Sequence, residues 1–203
     1  MVDLYLASQS SRRRELLQQI GVVFDVIPVS VHEQHLAGES PSGYVQRLAL
    51  EKSLAGWSYC ADTGMPECPV LGADTLGEID GRLLEKPRDR DDAREMLLAM
   101  SGREHTVLSA VAVTSERGQD CMLAETRVTF RPVSEIEITR YWDTGEPADK
   151  AGAYAIQGFG ALFVQRIHGS YSAVVGLPLQ ETRILLERHG VPYWNTRASG
   201  STL

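Results

Sequence analysis

The stretch PVLGADTLGEIDGRL, residues 69–83, carries the clearest fold signals in the chain. Its apolar beginning predicts a short buried strand that ends at Asp74 and Thr75. The Asp80-Gly81 pair suits a type I′ turn, so a hairpin is expected around it. An Asp at the end of a buried strand is well placed to activate water or bind a metal ion. The alternative is an Asp that caps a turn.

Helices and strands mix on both sides of this stretch without a strict βαβ rhythm, which favours an α/β or α+β domain with a mixed sheet. Helices are expected at about residues 12–20, 41–55, 91–100, 134–145 and 178–189. Strands are expected at about residues 4–7, 22–29, 106–114, 122–130, 161–167 and 171–175, with a loop at 58–68. The tail from about residue 192 is polar and is expected to be frayed.

Composition narrows the functional class. The 203 residues are 43% hydrophobic, which is enough for one large domain or two small lobes. The net charge of −7 argues against a nucleic-acid polymer as partner. We expect a cytoplasmic protein with no membrane partner, because the chain lacks long apolar runs and a signal peptide. Three cysteines without CxxC spacing predict free thiols.

The segment after the first predicted strand combines hydroxyl groups with cations: Ser8, Ser10, Ser11, Arg12 and Arg13. A helix begins there, and a helix N-terminus offers unpaired N–H groups and a partial positive charge. With two arginines added, such a junction can hold a polyphosphate. The alternative is an ordinary capped helix with solvated arginines, with Ser10 or Ser11 as the cap.

Lys52 lies on the apolar side of its predicted helix. Burying an ammonium group without a partner is costly, so we expect either an anionic ligand or a neighbouring carboxylate. Glu33 and Glu39 lie in the polar segment before this helix. Either could help Asp74 to hold a divalent cation, or neither could have that role.

Two later segments contain further candidates. Lys86, in Glu85-Lys86-Pro87, could reach a phosphate or could be a solvated loop residue. Gln157 lies among small residues and glycines, where its amide could recognise a pyrimidine edge or simply belong to a turn. The adjacent Asp149 and Lys150 could pair with each other.

Taken together, these segments resemble the Maf family of nucleotide pyrophosphatases in order and over nearly the whole chain. The matching segments are LASQSSRRRELL at 6–17, LALEK at 48–52, GADT at 72–75, LLEKP at 83–87, SGREHTVLSAVAV at 101–113, GEPADKAGAYAIQGFG at 145–160 and GSYSAVVGLPLQET at 169–182.

The resemblance implies an α/β fold in one Maf-like domain over residues 1–203, with an elongated mixed sheet flanked by helices and two lobes around a central cleft. It also implies hydrolysis of a nucleoside triphosphate to the monophosphate and pyrophosphate, in a house-cleaning role, and a homodimer. A divalent cation, Mg²⁺ or Mn²⁺, is implied as cofactor. The alternative is a nucleotide-binding regulatory or septum-associated protein with little turnover.

Individual roles also follow from the resemblance alone. Asp74 corresponds to the general base and, with Glu33, to the metal ligands. The phosphate-binding positions correspond to Ser8, Arg12, Arg13, Lys52 and Lys86. The DKAGAYAIQG form is similar to the branch that acts on dTTP and UTP, in which Arg12, Thr75 and Gln157 are the specificity positions.

Two residues depart from the family pattern. Ser11 replaces a usual proline, which would pre-set the first helical turn. Gly77 replaces an apolar residue after GADT, and a glycine weakens a strand. These departures bear on the rigidity of the phosphate loop and of the strand that carries Asp74.

Overall fold

The computed structural model describes residues 2–196, and every element below lies within that range. The strands are β1 (Leu4–Leu6), β2 (Phe24–Val26), β3 (Val70–Ile79), β4 (Arg82–Leu84), β5 (Glu104–Ser115), β6 (Gly118–Phe130) and β7 (Val164–His168). The helices are α1 (Ser11–Gln19), α2 (Pro41–Asp62), α3 (Arg90–Met100), α4 (Glu135–Trp142), α5 (Tyr171–Val175) and α6 (Leu179–His189). Short 3-10 turns span Glu146–Asp149, Ala151–Ala153 and Phe159–Phe163.

The seven strands within residues 2–196 form one sheet in the order β2-β1-β3-β5-β6-β7, with β4 paired to β3. Strand β1 runs parallel to β2 and β3, whereas β4 and β7 run antiparallel to β3 and β6. The expected α/β class, with a mixed sheet flanked by helices, is confirmed. Among the helices in this part of the chain, none has both the length and the apolar character needed to cross a membrane.

The chain divides into two compact units, and strands β3, β5 and β6 contribute residues to both. The first unit comprises residues 2–74, 109–123 and 176–196, and the second comprises residues 75–108 and 124–175. Fully buried side chains of the first unit include Tyr5, Leu17, Leu48 and Leu71. Those of the second include Leu84, Leu97, Met100 and Phe130.

Helix α2 packs directly on the sheet of the first unit because Gly56 leaves room for it. A Cβ atom on Gly56 would lie 2.6 Å from Cγ1 of Val70. The helix continues to Asp62, so the predicted loop at 58–68 is wrong over its first five residues. The extension is stabilised by Cys60, which is buried in a cluster with Tyr5 and Val70. Burial there outweighs the weak helix propensity of this segment.

Strand β3 continues through Asp74 to Ile79 because the residues after Asp74 pair with β4. Asp74 therefore lies within a long strand, and the prediction that the strand ends there is wrong. The hairpin is confirmed, since Asp80 and Gly81 have φ values of 53° and 77°. A type I′ turn requires positive φ at both central positions.

Three other predicted strands differ in the structure. The strand expected at 161–167 begins only at Val164, because Phe159–Phe163 forms a 3-10 turn. Tyr171–Val175 forms helix α5, whose first turn is capped because Ala173 donates its N–H to Oγ of Ser170 at 3.2 Å. Strand β2 covers only three residues of the predicted 22–29, since its partner β1 offers only three positions for pairing. The three cysteines are free thiols, as predicted.

The ends of the first helix are well defined. Ser10, and not Ser11, caps α1 by accepting from the N–H of Arg13. At the other end, Trp194 donates its N–H to the carbonyl of Ile20 at 2.7 Å, which holds the start of the predicted polar tail against the first unit. The predicted frayed tail thus begins with a segment that is hydrogen-bonded at Trp194 and Asn195, and its part beyond residue 196 lies outside the described residues.

Candidate active site

Lys52 is the centre of the candidate site, where its ammonium group contacts two carboxylates. Its Nζ donates to Oδ1 of Asp74 at 2.8 Å and lies 2.6 Å from Oε1 of Glu33. The Lys52 and Asp74 side chains are only 12% and 13% exposed, whereas that of Glu33 is 53% exposed. Of the two expected solutions for a buried ammonium, the structure therefore contains the neighbouring carboxylate.

Gly72 allows Lys52 on α2 and Asp74 on β3 to come into contact. A Cβ atom at Gly72 would lie 2.4 Å from the carbonyl oxygen of Ala49, 2.5 Å from the backbone N of Ser53 and 3.0 Å from Cβ of Lys52. The missing side chain thus lets the backbone of α2 approach β3 closely. As a result Lys52 reaches Asp74, which lies two residues further along the strand.

Arg13 is held at the start of α1 by polar contacts on either side. Its Nη1 donates to Oγ of Ser8 at 3.1 Å, and its Nε donates to the carbonyl of Gly176 at 2.9 Å. The Ser8 hydroxyl also accepts from the N–H of Ser10 at 3.3 Å. Ser8 and Arg13 therefore belong to one hydrogen-bonded junction.

Electrostatic coupling links this junction to the carboxylates. Burial lowers the pKa of the Arg13 guanidinium, Asp74 and Glu33 counter that shift, and Arg12 adds to it. The Arg12 side chain is half-buried and has no hydrogen bond or ion pair to any other residue in the 2–196 range. The first unit therefore brings together the five predicted charged residues Arg12, Arg13, Glu33, Lys52 and Asp74.

Glu39, the alternative metal ligand, does not take part in this cluster. Its carboxylate accepts from Nε and Nη2 of Arg47 at 2.7 and 2.9 Å. These bonds lower the pKa of Glu39 to about 2. Arg47 thus engages both oxygens of Glu39, and of the alternatives left open for Glu39 the structure favours the one without a role beside Asp74.

The remaining predicted positions belong to the second unit. Thr75 follows Asp74 in β3, and Lys86 is exposed just after β4. The carbonyl of Glu85 accepts from the N–H of Gly152 at 3.0 Å, which ties the segment of Lys86 to the Ala151–Ala153 turn. Gln157 is exposed in the loop that follows this turn. Asp149 and Lys150 form the expected ion pair.

Two further residues, Gly72 and Glu146, shape the site without being among the predicted positions. Gly72 was visible as a glycine inside an apolar strand, which is a signal of close backbone approach. Glu146 lies in the motif at 145–160, and its carboxylate binds the loop around Gln157 through Phe159 and Gly160. The glycines beside Gln157 were the available signal, because they imply a close neighbour.

The two carboxylates beside Lys52 provide only part of the ligands that a hard divalent cation needs. Asp74 and Glu33 supply carboxylate oxygens, the ligands preferred by Mg²⁺ and Mn²⁺. Within residues 2–196 no group of three or more Asp, Glu, His or Cys side chains could enclose a metal ion. Two carboxylates fit a Mg²⁺ ion whose other ligands are water and phosphate oxygens, which is the usual arrangement with nucleotides.

An open groove of about 410 Å³ lies elsewhere in the first unit, along α2. Its only cation, Arg47, is neutralised by Glu39 and Glu51. The groove contains none of the predicted site residues, and it is not a phosphate site. Its lining residues are Gly43, Gln46, Arg47, Leu50, Glu51, Leu54 and Gln119.

Fold and site together define an α/β protein with a buried acid among cations, and the sequence places it in a family. The chain belongs to the Maf family, since the model described as Maf-like protein matches residues 3–189. This confirms the resemblance drawn from the seven sequence segments.

Several curated relatives named dTTP/UTP pyrophosphatase are similar to the chain over most of its length. The Saccharophagus degradans protein is 57% identical over 97% of this chain and 93% of its own. The Aliivibrio fischeri protein is 50% identical over 92% of this chain and 97% of its own. The Yersinia pestis protein is 49% identical over 97% of this chain and 98% of its own. Among solved structures, the Staphylococcus aureus Ham1 protein is 13% identical, with a TM-score of 0.41 over 63% of this chain and 71% of that protein.

Proposed function

We propose that the chain is an enzyme that hydrolyses dTTP and UTP to the monophosphate and pyrophosphate, with a house-cleaning role. The observation that carries the proposal is the contact of Asp74 with Lys52, in a cluster that also contains Arg13. Such a cluster offers one base and several cations to a polyanion. The three relatives described above, named dTTP/UTP pyrophosphatase, support the substrate class.

Asp74 is the proposed general base. Its Oδ1 is occupied by Lys52, and no other residue in the 2–196 range hydrogen-bonds to its carboxylate. Asp74 takes a proton from water as the water oxygen bonds to a phosphorus of the α–β bridge. The bond between that phosphorus and the bridging oxygen breaks, which separates the nucleoside monophosphate from pyrophosphate. The products are the nucleoside monophosphate and pyrophosphate.

The cations stabilise the charge that develops on the phosphate oxygens. Arg13 is held by Ser8 and Gly176, so it is already oriented before a nucleotide binds. Lys52 orients Asp74 and contributes a positive charge beside the attacking water. Arg12 and Lys86 are the further phosphate-binding residues, and both are free of ion pairs within residues 2–196.

A divalent cation, Mg²⁺ or Mn²⁺, would be held by Asp74 and Glu33 together with oxygens of the nucleotide. Bound there, it would neutralise phosphate charge during the reaction. Glu33 is suited to this role because its side chain is half exposed while its carboxylate remains beside Lys52.

Base selection is assigned to Arg12, Thr75 and Gln157. An amide such as that of Gln157 both donates and accepts hydrogen bonds, as the edge of a thymine or uracil requires. The remaining parts of the proposal are a single domain over the 203 residues, a homodimer, a cytoplasmic location and no nucleic-acid or membrane partner.

The proposal is tested by measuring pyrophosphate release from dTTP, UTP, CTP and GTP, with and without Mg²⁺ or Mn²⁺. We expect release from dTTP and UTP in preference to the others, and only with a divalent cation. Nucleotide binding without release under every condition would instead support a regulatory nucleotide-binding protein.

A further inference from the structure

Glu146 begins the 3-10 turn Glu146–Asp149 and directs its carboxylate at a neighbouring loop in the same unit. Its Oε2 accepts from the N–H of Phe159 at 2.9 Å, and its Oε1 accepts from the N–H of Gly160 at 3.0 Å. Oε1 also accepts from the hydroxyl of Tyr141 at 2.7 Å. One side chain thus satisfies two successive backbone donors of the loop that follows Gln157.

Tyr141 extends this contact to the other side of Gln157. Its hydroxyl donates to Glu146 and accepts from the N–H of Ala155 at 3.1 Å. The backbone is therefore fixed two residues before Gln157 and again two and three residues after it. We call residues 155–160 the glutamine loop.

Glycines make this packing feasible. A Cβ atom at Gly158 would lie 2.1 Å from Oε2 of Glu146, and one at Gly160 would lie 2.8 Å from the Tyr141 hydroxyl. Any larger residue at either position would displace the Glu146 or Tyr141 side chain. The sequence of the glutamine loop is thus matched to the carboxylate that binds it.

The hydrogen bonds of Glu146 to the glutamine loop and to Tyr141 depend on an ionised carboxylate. Burial raises the pKa of this carboxyl, but the hydrogen bonds from Gly160, Tyr141 and Phe159 outweigh burial and lower it overall. Glu146 is therefore ionised at neutral pH, and an ionised carboxylate only accepts hydrogen bonds. An amide in its place would turn an N–H towards one of the three donors.

We propose that Glu146 is a positioning residue that sets the glutamine loop and thereby determines the base preference of the enzyme. This inference rests on the proposed function, in which Gln157 recognises the pyrimidine. Hydrogen-bond recognition of a base edge requires placement to about half an ångström. Because the Gln157 side chain is exposed, its backbone provides that placement, and Glu146 and Tyr141 hold the backbone.

The test compares kcat/KM for dTTP, UTP and CTP in wild type and in Glu146→Gln. This variant keeps the shape of the side chain and removes one acceptor. We expect the preference for dTTP and UTP over CTP to fall about tenfold. The value of kcat for dTTP should change much less, because the groups at Asp74 are untouched. Tyr141→Phe, which frees the N–H of Ala155 and removes one of the three hydrogen bonds to Glu146, should shift the preference in the same direction.

Glu137→Gln is the matched control. Glu137 is also in the second unit and accepts from Ser134 and Arg131, but it forms no hydrogen bond with residues 155–160. Thermal unfolding of each variant measures the structural effect. If the variants only lost stability, the activity of both Glu146→Gln and Glu137→Gln would fall. The ratio of kcat/KM between the nucleotides would then stay unchanged.

The outcomes separate this inference from the proposed function. If wild type releases no pyrophosphate, or shows no base preference, the proposed function fails and this inference with it. If Gln157→Ala abolishes the preference while Glu146→Gln and Tyr141→Phe keep it, only the role of Glu146 is overturned. If Glu146→Gln does not fold, the result for Tyr141→Phe decides.

Discussion

At the scale of single residues, Lys52 is the group whose removal best separates catalysis from folding. In Lys52→Gln the carboxylates of Asp74 and Glu33 lose their shared cation. We expect kcat/KM for dTTP to fall about a hundredfold, as is typical when one preorganised charge or donor is removed. Steady-state pyrophosphate release measures this effect.

Arg47→Gln is the control for Lys52→Gln. Arg47 lies one and a half turns earlier on α2 and also binds two carboxylates, those of Glu39 and Glu51. Its loss should lower the melting temperature and leave kcat/KM close to wild type. Equal loss of activity in both variants would mean that Lys52 acts only through the stability of α2.

Gln157 is the residue assigned to base recognition. Gln157→Ala should flatten the preference among dTTP, UTP, CTP and GTP more than it lowers the overall rate, since the phosphate groups are bound elsewhere. Gln165→Ala, an exposed glutamine on β7, should leave the preference unchanged. A retained preference in Gln157→Ala would assign base selection to other side chains.

Residue chemistry made part of the site predictable. Lys52 needed a partner because a buried ammonium is unstable alone, and Asp74 is that partner. The choice of Glu33 over Glu39 came from the family resemblance and not from residue chemistry, because it depends on Arg47, which lies six residues beyond the start of α2. Pairing between distant side chains requires the folded backbone.

At the scale of elements, the close approach of α2 to β3 at Gly72 forms the site. Gly72→Ala would place a methyl group against the backbone of Ala49 and Ser53, which cannot move aside. We expect a loss of about 3 kcal/mol or more in the free energy of unfolding. A fall in activity should accompany it, since Lys52 is pushed from Asp74. Chemical denaturation and steady-state rates measure the two effects.

Gly77→Ala is the comparison on the same strand. A methyl group at Gly77 would lie 3.1 Å from Cβ of Leu84, so its main contact is a side chain with some freedom to adjust. We expect a smaller loss of stability than for Gly72→Ala. If the two variants were equally destabilised, close packing of α2 on β3 would not explain Gly72. The comparison also gives a physical reason for glycine at 77, which is room for Leu84.

The elements were predictable where local signals and packing agree. The Asp80-Gly81 turn and the capping box of α4 follow from side chains within a few residues. The length of α2 was not predictable in this way, because its last turn is stabilised by burial of Cys60 against strands distant in sequence. Helix α5 was missed because its short, mostly apolar sequence YSAVV fits either a strand or a helix.

At the scale of the whole molecule, His105 gives the fold a pH dependence. It is buried, its Nε2 lies 2.9 Å from the Tyr154 hydroxyl, and its Nδ1 has no partner within residues 2–196. Burial lowers the pKa of His105 from 6.5 to about 4. Between these values the unfolded chain binds a proton that the folded chain excludes. Stability therefore falls as pH drops from about 6.5 to 4, by about 3 kcal/mol in total.

His105→Phe tests this dependence, since Phe can occupy the same edge-to-face position against Phe130. The variant should be less stable at pH 7, because the Tyr154 hydroxyl loses its partner. Relative to wild type it should gain stability as the pH is lowered towards 4. Urea denaturation at pH 7, 5.5 and 4 measures the change, with the exposed His32→Asn as control. A constant difference across that range would contradict the prediction.

The central claim is that Asp74 acts as a base within a cluster that binds phosphate. The most direct measurement is the turnover number of Asp74→Asn on dTTP, beside its affinity for the same nucleotide. We predict that kcat falls by about 10² to 10⁴ while nucleotide affinity is kept or increased, and that Asp62→Asn, an exposed change on α2, behaves as wild type. Turnover by Asp74→Asn close to that of wild type would contradict the claim.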